Sequence, residues 1–299
     1  MKLSCTPISF QKRFVAGDMD LPQFIETCAS LGCQGIDLLA SCHYPWLWKN
    51  PTQEKQRLSG WLRDAGLTLA AYAAGNNFAL ADAQARQQQI QDVQTSIREA
   101  AELGAPLLRI FGGRIEPERL ERGMGVHIGM PFVMQALEQC LPVAQQHGVV
   151  LALENHGNLP GRAYEIQQII RHFDSPFLQC TFDIANFLGG YLKDEVDDPV
   201  RAADKLMPWI AHVHVKDVGP TPPGSSYRLE PYVTGQGIVP IRQVLASIAE
   251  SGYQGFYSLE YEAIARMPEL QGVAESLAYL KQVASLHQTL GLVPASCTV

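Results

Sequence analysis

The segment QHGVVLALEN, residues 146–155, contains in ten residues the pattern on which the fold depends. A glycine follows the polar end of a helical segment, an apolar run comes next, and that run ends on the polar pair Glu154 and Asn155. A short apolar run bounded by turn residues is typical of a buried strand. The segment therefore predicts a strand that carries a carboxylate at its carboxyl end.

The same order of helix, tight turn and apolar run recurs along the whole chain. The turns lie at 31–35, 64–68, 103–106, 146–149, 174–177, 207–209 and 251–255. The runs that follow them, together with the opening KLSCTPI, make eight candidate strands, and intervening segments such as IQDVQTSIREAAEL place apolar residues at helical spacing. Strict alternation of strand and helix predicts a parallel sheet, and eight such units predict one (β/α)8 TIM-barrel domain over 1–299.

An open, doubly wound sheet is the alternative architecture. It is less favoured because no glycine-rich dinucleotide fingerprint follows the first strand. Three connections after strands are long, at about 41–51, 112–130 and 217–237, whereas those from helix to strand are short. In a barrel the long connections all lie at the carboxyl ends of the strands, where such enzymes place their sites.

Composition and charge exclude several classes of protein. The chain has 299 residues, 46% of them hydrophobic, but no apolar run of membrane-helix length, and MKLSCTPISF lacks the apolar core of a signal peptide. We therefore expect a cytoplasmic protein with no membrane partner. The net charge of −7 argues against a nucleic-acid partner. Reduced thiols are expected for the seven cysteines, which form no CxxC pair: Cys5, Cys28, Cys33, Cys42, Cys140, Cys180 and Cys297.

Strand parity brings polar side chains from four consecutive strands towards one place. Successive residues of a strand face opposite sides, so the outward apolar residues of each run identify the inward ones. The last inward residues are Glu154, Asp183, His214 and Glu260. His212 and Lys216 share the parity of His214, one layer below and one layer above it.

Three carboxylates and an imidazole in one buried place repel one another and are costly to desolvate without a cation. A divalent ion relieves that cost, and mainly oxygen ligation favours Mn²⁺, with Mg²⁺, Co²⁺ and Zn²⁺ as alternatives. The alternative for each carboxylate is a helix cap or an ion pair with a nearby Arg or Lys.

The motifs LALENHG, TFDIAN, HVHVKD and GFYSLEYE on eight βα units resemble the sugar phosphate isomerase/epimerase superfamily of xylose-isomerase-like TIM barrels. This resemblance spans essentially the whole chain and is nearest to the ketose 3-epimerases. It implies that Glu154, Asp183, His214 and Glu260 are metal ligands and that Glu154 and Glu260 are also the two acid/base groups. Such groups move a proton beside the carbonyl of a keto sugar through a metal-stabilised enediolate.

One position departs from the family pattern. Members that cut DNA at abasic sites carry a histidine three residues after the strand 6 aspartate, and ketose epimerases contact substrate there, whereas this chain has Asn186. A nuclease is therefore disfavoured. Asn186 either contacts substrate or indicates different chemistry.

Further candidates to contact a sugar substrate are His156, Lys216, Arg109, His43 and Trp46, the last beside Trp48. Each has a structural alternative: a loop histidine, a surface ion pair, a partner for Glu154, or an aromatic lid packed on its own barrel. His212 is expected to support a ligand or to pack in the core. Glu262 shares the parity of Glu260 but lies about 7 Å further along, so it is the less favoured ligand.

The leading hypothesis is a metal-dependent isomerase or epimerase acting on a small sugar or sugar derivative. The alternative is a metal-dependent lyase or dehydratase on a keto sugar, inosose or keto-glycoside, in which proton removal expels a β leaving group. An abasic-site endonuclease and a non-catalytic binding barrel are less favoured. The sequence leaves the oligomeric state open, with a homodimer or a homotetramer among the alternatives.

Overall fold

The computed structural model describes residues 1–115, 126–189, 197–225 and 227–289. Ten strands lie in this part of the chain: β1 Lys2–Cys5, β2 Gly35–Leu39, β3 Thr68–Ala73, β4 Leu107–Phe111, β5 Val150–Glu154, β6 Leu178–Asp183, β7 Ile210–Val215, β8 Asp217–Pro220, β9 Leu229–Tyr232 and β10 Phe256–Leu259. The helices described are α1 Gln11–Ala16, α2 Leu21–Ser30, α3 Pro51–Ala65, α4 Ala83–Glu102, α5 Val126–His147, α6 Ala163–Phe173, α7 Pro199–Leu206, α8 Ile241–Glu250 and α9 Glu269–Thr289.

Eight parallel strands close into a barrel in the order β1-β10-β7-β6-β5-β4-β3-β2. Each coincides with one of the eight predicted apolar runs, so the prediction of a (β/α)8 TIM barrel is confirmed. The helices begin where the sequence provides caps: the carboxylates of Asp20, Asp82 and Asp198 each accept a hydrogen bond from a backbone N–H in the first turn.

Burial separates the two faces of the strands. Leu151 and Leu153 of β5 belong to the large apolar layer between barrel and helices. Ala152 instead joins Ala71 and Leu107 in a small separate cluster. Apolar side chains, two of them alanines, thus fill this part of the interior, whereas the inner residues nearest the carboxyl ends of β5 and β6 are polar.

Two of the predicted loops differ from the structure. The segment 112–130 was expected to be a loop, but α5 already begins at Val126; residues 116–125 lie outside the described residues. Proline is typical of the first turn of a helix, so Pro131 favours a helix that begins close to it. In the structure Pro131 lies inside α5, and the predicted loop was therefore too long at this end.

The segment 217–237 contains an antiparallel hairpin, β8–β9, rather than an irregular loop throughout. The buried carboxylate of Asp217 anchors it by accepting hydrogen bonds from the backbone N–H groups of Val218, Gly235, Gly237 and Val239 at 2.8–3.2 Å. A Cβ at position 237 would collide with Asp217 Oδ1, so only glycine lets the backbone approach so closely.

Two expectations from composition can be compared with the described residues. Six of the seven cysteines lie there, and all six are free thiols; Cys297 lies outside the described residues. None of the helices in this part of the chain combines the length and the apolar character that a membrane crossing requires.

Candidate metal centre

Four neighbouring strands deliver Glu154, Asp183, His214 and Glu260 to one place at the carboxyl end of the barrel. Glu154 and Asp183 are the last residues of β5 and β6, His214 lies opposite Asp183 in the register of β7, and Glu260 follows β10 directly. One ligand atom from each side chain lies within 4.8 Å of all the others, and all four residues are buried. The structure therefore brings together the four side chains that parity selected.

The unpaired atoms of this cluster fit a cation. Glu154 Oε2, Asp183 Oδ2 and His214 Nδ1 are buried and make no hydrogen bond, although buried polar atoms normally have a partner. His214 Nδ1 lies 3.5 Å from Glu154 Oε1 and 3.8 Å from Glu260 Oε2. Three of the four side chains thus have an unpaired atom at the centre, and together with the carboxylate of Glu260 they form a group that can hold a divalent metal ion.

Local hydrogen bonds leave one oxygen of Asp183 directed at the centre. The backbone N–H groups of Ala185 and Asn186 both donate to Asp183 Oδ1 at 2.9 Å. The side chain of Asn155 donates to the backbone carbonyl of Asp183 and accepts from its N–H, both at 2.9 Å. These bonds use Oδ1 and fix the main chain, so Oδ2 remains for the ion.

Two buried cations flank the carboxylates. Arg109 Nε lies 3.2 Å from Glu154 Oε2 without hydrogen-bond geometry, and its Nη1 donates to the carbonyl of Ala74 at 2.5 Å. Lys216 Nζ lies 3.1 Å from Asp183 Oδ2, 3.0 Å from Glu260 Oε2 and 3.5 Å from Glu262 Oε2. Lys216 is therefore not a surface ion pair, because it lies among the carboxylates of the centre.

The protonation states follow from burial and from these charges. Burial opposes ionisation of Glu154, but His214 and Arg109 outweigh it and hold the pKa of this carboxyl below its ordinary value. Burial likewise disfavours the charged form of Lys216, yet Asp183 and Glu260 raise its pKa well above the ordinary value. For Asp183, burial prevails over the charge of Lys216 and raises the pKa to about 7.

A cavity of about 350 Å³ lies next to the centre, and three of the predicted substrate residues line it: His156, Asn186 and Lys216. The ring of His156 stacks on Phe111 with 4.1 Å between centroids, and burial lowers its pKa to about 4, so the imidazole is neutral at neutral pH. Asn186 Nδ2 donates to Glu154 Oε1 at 3.4 Å. His156 and Asn186 are thus neutral hydrogen-bond donors and acceptors beside the charged Lys216, an arrangement that suits the hydroxyl groups of a ligand.

The other predicted substrate residues lie elsewhere. His43 and Trp46 are half-buried and do not line this cavity. Trp46 packs against Phe14 and Tyr44 with centroid distances of 5.8 and 6.1 Å, and His43 Nδ1 lies 3.2 Å from Cys42 Sγ. Their predicted contact with a sugar substrate therefore has no support in this geometry. Arg109 does not line the cavity either, and it contacts Glu154 instead.

Sequence reasoning missed Asp37. This residue lies in the middle of β2, GIDLL, every residue of which is buried. Its Oδ2 lies 2.8 Å from His212 Nε2 and 3.5 Å from His214 Nε2. A carboxylate inside an otherwise apolar buried strand was the available signal, because such a group is almost never buried unless it is paired.

Comparison with known proteins places this geometry in context. Residues 25–283 match the family described as "Xylose isomerase-like TIM barrel". An uncharacterized protein of Methanocaldococcus jannaschii is 25% identical over 182 residues, which are 58% of this chain and 57% of that protein. The match thus spans little more than half the length of this relative.

Three solved structures share the architecture. A D-tagatose 3-epimerase-like protein superposes with a TM-score of 0.74 at 18% identity, covering 97% of this chain and 99% of the other. The apo form of 3-keto-D-glucoside 4-epimerase from E. coli gives 0.72 at 15%, covering 94% and 99%. A probable 3-DHS dehydratase from Bacillus anthracis gives 0.68 at 18%, also covering 94% and 99%. At these identities the likeness establishes the fold alone.

Proposed function

This chain belongs to the xylose isomerase-like TIM barrel family, and from that premise we propose that it is a divalent-metal-dependent isomerase or epimerase of a keto sugar or sugar derivative. The observation that carries the proposal is the cluster of Glu154, Asp183, His214 and Glu260, whose ligand atoms lie within 4.8 Å of one another. A divalent ion held there would supply Lewis-acid stabilisation of negative charge on the substrate oxygens. We propose Mn²⁺ as this ion, with Mg²⁺, Co²⁺ and Zn²⁺ as alternatives.

Glu154 and Glu260 are the proposed acid/base pair. Neighbouring positive charges hold the pKa of both carboxyls below the ordinary value despite burial, so each is ionised and able to accept a proton. One removes the proton from the carbon beside the carbonyl, and the other, after it has taken up a proton from solvent, returns that proton to the same carbon. Lys216 compensates the negative charge around them, and His156 and Asn186 bind hydroxyl groups of the substrate.

Exchange of carbon-bound hydrogen tests the reaction directly. The protein, loaded with Mn²⁺, is incubated with a panel of ketoses in deuterated water, and deuterium incorporation and epimer formation are followed by NMR. We expect incorporation beside the carbonyl, abolished by EDTA and by Glu154→Gln or Glu260→Gln. Glu250→Gln, an exposed carboxylate at the end of α8, is the matched control and should retain activity. Absence of exchange with every ketose would refute epimerisation.

The second candidate is a lyase built on the same proton removal. It is favoured by the fold shared with a probable 3-DHS dehydratase. Loss of a β leaving group would generate an unsaturated ketone, which absorbs in the ultraviolet, whereas epimerisation leaves the absorbance unchanged. Ultraviolet absorbance of the reaction mixture therefore distinguishes a lyase from an epimerase.

A further inference from the structure

A second polar group lies next to the metal-ligand cluster, inside the barrel. Asp37 Oδ2 lies 2.8 Å from His212 Nε2 and 3.5 Å from His214 Nε2, and Ser4 Oγ donates to Asp37 Oδ1 at 3.3 Å. All four residues are at most 2% exposed. β2 and β7 are separated in the barrel by β1 and β10, so these contacts cross the barrel interior.

The carboxylate determines which nitrogen of each imidazole carries hydrogen. An ionised carboxylate can only accept hydrogen bonds, so an imidazole that presents Nε2 to it must donate from Nε2. Both imidazoles present Nε2 to the same oxygen, Asp37 Oδ2, at 2.8 Å for His212 and 3.5 Å for His214. Both rings are thereby held as Nε2–H donors.

For His214, hydrogen on Nε2 determines the state of the other ring nitrogen, Nδ1. In a neutral imidazole with hydrogen on Nε2, the lone pair is on Nδ1. Nδ1 is the nitrogen that faces Glu154 and Glu260, and it makes no hydrogen bond. We propose that Asp37 is a positioning residue that holds His214 in the tautomer and orientation needed to ligate a metal ion through Nδ1, with His212 holding Asp37 in place. This inference rests on the proposed metal site.

A second metal site is the competing interpretation, because Asp37, His212 and His214 also form a group of three ligand types. Hydrogen bonding accounts for them better, since the 2.8 Å between Asp37 and His212 is an ordinary N–H···O distance. The other oxygen of this carboxylate accepts a hydrogen bond from the hydroxyl of Ser4. We therefore expect one bound ion per chain, and two would overturn the inference.

Metal affinity tests the role of Asp37 without any substrate. The apo-protein and the Asp37→Asn variant are titrated with Mn²⁺ and the dissociation constants compared. The amide keeps the size of the side chain but removes the negative charge that both Nε2–H groups face, so we expect affinity about 10–100-fold weaker. Asp204→Asn, at an exposed carboxylate bonded to Ser247, is the matched control and should bind as the parent does.

The outcomes separate this inference from the proposed function. A parent protein that binds no Mn²⁺ would remove the metal site and with it the proposed function. A parent that binds Mn²⁺ and an Asp37→Asn variant that binds it equally well would overturn the role of Asp37 alone.

Histidine NMR on the parent protein tests the tautomer even if the variant fails to fold. With ¹⁵N-labelled histidine, addition of Zn²⁺ should shift the resonances of the ligand ring, His214. We expect its Nε2 to carry hydrogen and its Nδ1 to bind Zn²⁺. A ring that is protonated on Nδ1, or that binds Zn²⁺ through Nε2, would overturn the inference.

Discussion

Replacing Lys216 with methionine should destabilise the metal-free protein much more than the metal-loaded protein. Lys216 Nζ lies 3.1 Å from Asp183 and 3.0 Å from Glu260, and its side chain is only 10% exposed. At an effective dielectric constant of about 20, each attraction is worth roughly 5 kcal/mol before desolvation is counted. Because desolvation offsets much of this, the expected net loss is about 3–5 kcal/mol, the usual cost of breaking a buried ion pair.

Thermal unfolding in EDTA and in saturating Mn²⁺ measures this difference. A loss of that size corresponds to a fall in Tm of roughly 6–15 °C in EDTA. A divalent ion brings positive charge to the same carboxylates, so the fall in Mn²⁺ should be less than half as large. Methionine retains the apolar stem of lysine, which limits loss of packing.

Lys55→Met is the matched control. Lys55 Nζ lies 2.5 Å from Glu99 and its side chain is 19% exposed, but it contacts none of the proposed metal ligands. This variant should lose the same stability in EDTA and in Mn²⁺. If Lys216→Met also lost equal stability in both, the carboxylates around Lys216 would not be the ligands of the ion.

Three further predictions concern the same region. Because the pKa of Asp183 is about 7 and a ligand must be deprotonated, Mn²⁺ affinity should fall up to about tenfold per pH unit below pH 7. Titration calorimetry at several pH values measures this, and an affinity that does not change with pH would contradict it. His156 takes up its proton near pH 4 in the folded protein but near pH 6.5 when unfolded, so the folded state loses stability as the pH falls through this window. In urea unfolding between pH 6.5 and 4, the His156→Phe variant should therefore lose less stability than the parent protein. An equal loss in both proteins would exclude His156 as the cause. Asn155→Ala removes both bonds to the main chain of Asp183 and should cost about 1–3 kcal/mol in unfolding free energy, whereas no change in the urea midpoint would mean that other contacts hold this strand end.

Strand periodicity was sufficient to predict both the barrel and the cluster of Glu154, Asp183, His214 and Glu260. The alternating apolar residues of a strand identify the side that faces the helices, and the residues between them therefore face inward. Strand parity predicts which side chains face inward, but not which of them contact one another across the barrel. The pairing of Asp37 with His212 depends on closure of the sheet, and for that reason His212 had no predicted partner.

The connections after the strands were harder to predict, because their structure depends on contacts with distant residues. The strands β8 and β9 are four residues each and both contain a proline, so their local sequence does not indicate a hairpin. Asp217 organises the hairpin by binding backbone groups up to 22 residues away. Periodicity also cannot distinguish an aromatic side chain that binds a sugar from one that packs on its own barrel, as Trp46 does.

The hairpin β8–β9 is fixed at its base by Asp217, whereas Leu229, Glu230 and Pro231 on its second strand face the cavity. Asp217 and Gly237, which fix the base of the hairpin, do not line the cavity, whereas Val218 both donates to Asp217 and lines it. For protein engineering, Leu229, Glu230 and Pro231 can be randomised while Asp217, Val218 and Gly237 are kept, so that a library of variants explores new ligands without changing the proposed acid/base carboxylates.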